Sequence, residues 1–132
     1  MVGIVKVDTL QNNAGTSSVG MDYVVNGSAK GWVSYTMVSS GSVQDSLNIS
    51  SLSDLGGGAA KPTYTASFAN TNYCQTMGMG DYSITWSNSH ALAHSSNGYK
   101  TTSYTHFNTS TATVNSGADL YENGIVMHGD LA

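Results

Sequence analysis

The chain has 132 residues, room for one domain with a short extension, and a formal net charge of −4. Charged residues make up only 9%, against roughly 25% in an ordinary soluble domain. The cations are Lys6, Lys30, Lys61 and Lys100, and there is no arginine. Without a basic cluster, neither nucleic acid nor an anionic membrane surface is expected as a partner, and no stretch approaches ~18 apolar residues, so no membrane insertion is expected.

Polarity comes instead from Ser, Thr, Asn and Gly. That composition occurs in disordered chains and in rigid β-rich extracellular or virion proteins. Eight tyrosines, two tryptophans and many Val and Thr favour the ordered class. The single proline, Pro62, leaves nearly every backbone N–H free for ladders. A lone cysteine, Cys74, excludes an intrachain disulfide and reads as a small buried hydrophobe.

In chain order, residues 1 to 20 form an arm. Val2, Ile4, Val5 and Val7 make a brief apolar run, and an Asn/Gly/Ser/Thr-rich stretch follows. Such a segment has no core of its own and reads as a docking arm for a neighbouring subunit or a parent structure. It lacks the basic and apolar regions of a signal peptide, so synthesis in a cytoplasm is expected. Residues 21 to 132 read as the folded domain.

Helical periodicity is nearly absent, and short apolar runs bounded by Gly, Asn and Ser read as strands. Met21 to Val25 is one, closed by Asn26-Gly27, and Lys30 to Met37 is the next. Leu47 to Leu52 follows, then the breaker Gly56-Gly57-Gly58. Thr63 to Phe68 alternates cleanly, with Tyr64, Ala66 and Phe68 on one face. It pairs with Leu47 to Leu52 as a hairpin with a long Gly-rich loop. Tyr73 to Met79, Tyr82 to Trp86, Tyr99 to Phe107 and Gly124 to His128 complete the set. About eight short strands at this spacing predict an all-β fold, an antiparallel β-sandwich or jelly-roll-like domain.

Several strings in fixed order carry a resemblance: Thr9-Leu10-Gln11-Asn12, Ala29-Lys30-Gly31-Trp32-Val33, Asp45 through Leu52, Tyr64 through Ala69, and Asn72-Tyr73. Over residues 9 to 73 the chain resembles tail-fibre or receptor-binding proteins of tailed phages, of the marine phage and cyanophage type. Gly31 stands where that family usually has alanine, Gln44 where an arginine is common, and the 56–61 loop looks expanded. Beyond Tyr82 the likeness fades. The resemblance implies a homotrimer in the virion tail, docked on other tail or baseplate proteins and attaching the particle to its host.

No constellation points to catalysis. His90 and His94 have the i, i+4 spacing of a helical zinc pair, but no glutamate follows His90 and the surroundings disfavour a helix. On a strand they would stand roughly 13 Å apart. Asp119 and Glu122 read as loop solvation, no nucleophile elbow occurs, and the Gly-rich strings precede no helix. The expectation is no enzyme, no metal and no cofactor.

Aromatic residues around polar stretches suit a sugar instead, through CH–π stacking beside hydroxyl and amide groups. Tyr82, Trp86, Tyr99, Tyr104 and Phe107 flank such a stretch. The longest polar excursion runs from Ser87 to Gly98. Trp86, Asn88, His90, His94, Asn97 and Tyr99 are therefore the expected receptor-facing set, binding a host surface glycan. A structural connector without receptor contact, or a lectin-like binding module, are the alternative readings.

Overall fold

The computed structural model describes residues 3–80, 90–91, 100–111, 117 and 119–132. In chain order the elements are β1 (Thr9–Gln11), β2 (Ser18–Gly20), α1 (Met21–Gly27), β3 (Gly31–Thr36), β4 (Ser42–Leu47) and β5 (Ile49–Gly56). Then follow β6 (Ala59–Tyr64), β7 (Cys74–Met79), β8 (His90–Ala91), β9 (Phe107–Asn108), β10 (Ser110–Thr111) and β11 (Asn123–His128). Every strand pairing is antiparallel. A four-stranded sheet runs β4-β3-β11-β7 and a three-stranded sheet runs β5-β6-β9; β1-β2 and β8-β10 are two-stranded.

Alternation decides which side chains enter the core. β3 buries Val33 and Tyr35, β11 buries Ile125 and Met127, and β6 buries Ala60, Pro62 and Tyr64, while the alternate residues face outward. Both sheets thus contribute to one apolar cluster, which Met37, Phe68, Tyr73 and Phe107 complete. Within it Phe68 stacks on Tyr73 with ring centroids 4.2 Å apart, and Tyr64 meets Phe68 edge-on at 5.0 Å. The Tyr64 hydroxyl donates to the Tyr73 hydroxyl at 3.0 Å, which donates to the Thr101 carbonyl at 2.8 Å. Buried phenols need such partners. Burial also holds both phenols above the ordinary tyrosine pKa.

The chain passes from one sheet to the other at Asn48. Its backbone is left-handed, with φ 59°, a conformation asparagine tolerates better than most residues. Its side-chain oxygen accepts from the Ala66 N–H at 2.7 Å, and its amide donates to the Lys30 and Ala66 carbonyls, each at 3.0 Å. Leu47 to Leu52 is therefore not one strand: β4 ends before Asn48 and β5 begins after it. The apolar pattern runs across the corner unbroken, so periodicity does not reveal it.

Three other expectations need correction. Met21 to Val25 is helical, not extended: α1 lies at no sheet edge, and its chain end is closed by Ser28 N–H donating to Val24 O at 3.2 Å. Five residues are too few to separate a period of 2 from 3.6. The β5–β6 hairpin turns on Gly57 and Gly58, whose φ values of 56° and 75° suit a tight two-residue loop and not a long one. Thr63 to Phe68 stops being a strand at Tyr64, and Ala66 is exposed, because the Asn48 side chain takes the Ala66 backbone groups that a ladder would use.

β3, β7 and β11 match the expected runs, whereas Tyr82 to Trp86 lies outside the described residues. Of Tyr99 to Phe107, the described part joins the sheet by one bridge, Thr63 to Tyr104, before β9 begins, and Lys100 bridges to Thr105 within the segment itself. Pro62 explains the thin pairing. Its carbonyl accepts from Thr105 N–H on that side, and the N–H it lacks would point the same way.

Candidate functional site

The outward face of the three-stranded sheet gathers the best set of binding groups among the described residues. Lys61 and Thr63 alternate with buried Pro62 on β6 and stand outward. Across β5, Ser53 lies opposite Lys61 and Ser51 opposite Thr63. On the other flank Tyr104 bridges to Thr63 and Asn108 pairs with Ala59. Thr105 and Phe107 are buried, so Tyr104, His106 and Asn108 share the outward face.

Local bonds fix the aromatic corner of this face. The Thr101 hydroxyl accepts from the Ser103 and Tyr104 N–H groups at 3.2 and 3.0 Å and donates to the Tyr104 carbonyl at 3.0 Å. That small turn sets where Tyr104 leaves the backbone. Its ring lies 5.4 Å from the His106 ring, and the Lys61 ammonium is 5.3 Å from its centroid. Partial burial, and next the Lys61 charge, lower the His106 pKa below 6.5. That shift favours the neutral imidazole, whose two nitrogens are one donor and one acceptor.

A half-exposed ring, a neutral imidazole, an ammonium group, hydroxyls at 51, 53 and 63 and an amide at 108 can hold a saccharide. The ring covers a sugar's apolar face, and the polar groups match its hydroxyls.

Of the expected receptor set, only His90 is among the described residues. Trp86, Asn88, His94, Asn97 and Tyr99 lie outside the described residues, as do Tyr82 and Val2. The backbone of His90 is in β8, opposite Thr111 of β10. β10 follows β9 after Thr109 alone, so one continuous segment carries both the outward face and the partner of His90. Sequence reasoning listed Tyr104 among the rings and missed Lys61 and His106. The signal was present as a period of two, Tyr104-His106-Asn108 beside Lys61-Thr63, but a breaker-rich neighbourhood concealed it.

Phe107 belongs to the core. Cys74 is exposed, not buried: the alternation of β7 puts it outward with Thr76 and Gly78, while Gln75 and Met77 turn inward. Asp119 has a structural task, accepting the Gly58 N–H at 2.8 Å to hold the β5–β6 turn. No group of three or more His, Cys, Asp or Glu residues is arranged for a metal among the described residues.

The beginning of the chain presents a different surface. Ile4 and Val5 are 76% and 85% exposed, Val7 is exposed as well, and α1 buries no residue. The β1–β2 hairpin is held by Asn12, whose side-chain oxygen accepts from the Thr16 and Ser17 N–H groups at 2.9 and 3.1 Å. Among the described residues no helix is long and apolar enough to cross a membrane. No family model, curated protein or solved structure matches the chain.

Proposed function

We propose that this chain is a non-enzymatic virion structural protein, a tail fibre that attaches the particle to a glycan on the host cell surface. In this reading the two main sheets form a β-sandwich and three copies assemble as a homotrimer. Residues 1 to 20 dock the fibre on other tail or baseplate proteins.

The observation that carries the binding role is the Lys61–Tyr104–His106 face, a ring-bearing polar surface without a metal-type cluster. Assembly is supported by the distribution of apolar surface. Ile4, Val5, Val7, Leu10, Val19, Tyr23 and Val25 are exposed large hydrophobics that all precede residue 28. Apolar surface concentrated on a charge-poor segment favours association.

Adherence of the purified protein to host cells tests the binding role. Replacing Lys61 and Tyr104 with alanine should weaken it by roughly tenfold, the loss expected for one aromatic contact and one polar contact. Unchanged adherence would move the site away from this face. Mass photometry should show a trimer at micromolar concentration, and a monomer would refute the assembly. The exposed apolar arm also favours a connector role; wild-type protein that enters particles but never adheres to cells would select it.

A further inference from the structure

Two glycines lie side by side where β7 pairs with β11 in the four-stranded sheet, and no contact among the described residues requires either. Gly78 of β7 pairs directly with Gly124 of β11, and neither has a positive φ. A Cβ added at either would meet nothing within 4 Å among the described residues. Several other glycines have plain reasons. A Cβ at Gly80 would come within 2.5 Å of Glu122 Cβ, one at Gly129 within 2.5 Å of Tyr73 Cβ, and Gly57 needs φ 56°. Glycine inside a strand weakens it and often marks a place where a ligand or another backbone approaches closely.

The pair floors a cleft of about 460 Å³ on the outward face, walled by Ser34, Gln44 and Glu122. Gln44 is placed there by a β-bulge. The register passes from Ser34–Asp45 to Tyr35–Val43, leaving Gln44 as the extra residue. Bulges re-aim a side chain in this way. Its Oε1 accepts from the Ser34 hydroxyl at 2.9 Å, which fixes the amide plane with Nε2 left to donate. Glu122 is held at the far end, where its carbonyl accepts from the Gly80 N–H at 2.5 Å. Trp32 stands on the same face, two residues along β3 from Ser34 and opposite Val126.

From this geometry we infer that the Gly78–Gly124 cleft is a second saccharide site, one for a neutral sugar. The floor lets a ring lie against bare backbone. A carboxylate accepts from sugar hydroxyls, an amide donates and accepts, and the Ser34 oxygen accepts. Glu122 repels phosphate, sulfate and uronate groups, so the sugar carries no anionic group. An incoming β-strand fits less well: it would need the free edge of β7, whereas the cleft lies on the face, where only side chains offer hydrogen bonds. This site is on the other sheet from Lys61 and does not depend on the attachment reading.

Saturation-transfer NMR on the full chain, with glucose, galactose, mannose and N-acetylglucosamine as probes, tests the inference. At least one should saturate with the wild type. Gly78→Val with Gly124→Val should weaken that binding by roughly tenfold or more, as expected when a ligand loses its seat and its hydrogen bonds. Gln44→Ala and Glu122→Gln, both at exposed positions, should weaken it too and carry the test if the valine pair fails to fold. Lys61→Ala with Tyr104→Ala should leave it unchanged. No saturation by any of the four sugars, or full binding by the cleft variants, overturns the proposal. A change of particle mass in the valine variant, with sugar binding kept, assigns the cleft to a second copy of the chain instead.

Discussion

Asn48→Ala tests the corner that joins the two sheets. The substitution removes three hydrogen bonds, two to Ala66 and one to Lys30. They are half-exposed, so each contributes near the low end of the usual range, about 0.5 kcal/mol. Alanine must also hold φ 59°, which costs about 1 kcal/mol more. The sum is a loss of about 2–3 kcal/mol, a large part of a small domain's stability. Asn48→Gly separates the two contributions: it loses the same bonds but accepts the backbone conformation, and should be about 1 kcal/mol less destabilised than alanine. Urea unfolding followed by tryptophan fluorescence, at one fixed protein concentration, measures both. An alanine variant within about 0.5 kcal/mol of wild type, or a glycine variant as unstable as the alanine one, would refute the corner argument.

The tyrosine chain gives two further expectations. Tyr73→Phe leaves the Tyr64 hydroxyl and the Thr101 carbonyl without their partner and should cost about 1–3 kcal/mol by the same assay. Because burial raises the Tyr64 and Tyr73 pKa values in the folded state, their neutral forms are favoured by folding. Stability from this source is complete below the ordinary tyrosine value of 10.0 and is lost as pH rises beyond it, so phenolate absorbance and unfolding should coincide in an alkaline titration. Deleting Val2 to Gly20 should leave residues 21 to 132 folded by circular dichroism while abolishing incorporation into particles; an unfolded product would place the arm in the core. Replacing Asn88, His90 and Asn97 together with alanine should reduce adsorption to host cells without changing the oligomer, and unchanged adsorption would take that loop out of the receptor surface.

Much of the architecture was legible because a strand writes its burial into every second residue. The runs at 30–37, 73–79 and 124–128 announce β3, β7 and β11, and the glycines at 56–58 announce the turn beside them. Among the described residues, helix and strand were confused only at Met21 to Val25, where five residues carry no usable period. Leu47 to Leu52 misled for another reason: hydrophobicity continues through Asn48 although the backbone turns there.

Binding geometry was much less legible. Lys61, Tyr104 and His106 are separated by some forty positions, and nothing local to Lys61 says that Tyr104 will bridge to its neighbour Thr63. Gly78 and Gly124 are likewise unremarkable alone; they form a floor only because β11 pairs with β7 in that register. By itself the sequence determined the antiparallel all-β class, the strands at 30–37, 73–79 and 124–128 and the scarcity of charge, since these follow from local alternation and composition. Tertiary structure alone decided the sheet order, the Asn48 corner, the exposure of Cys74 and both candidate sites. Those depend on which distant strands share hydrogen bonds, and pairing energy between strands leaves no trace in either strand read alone.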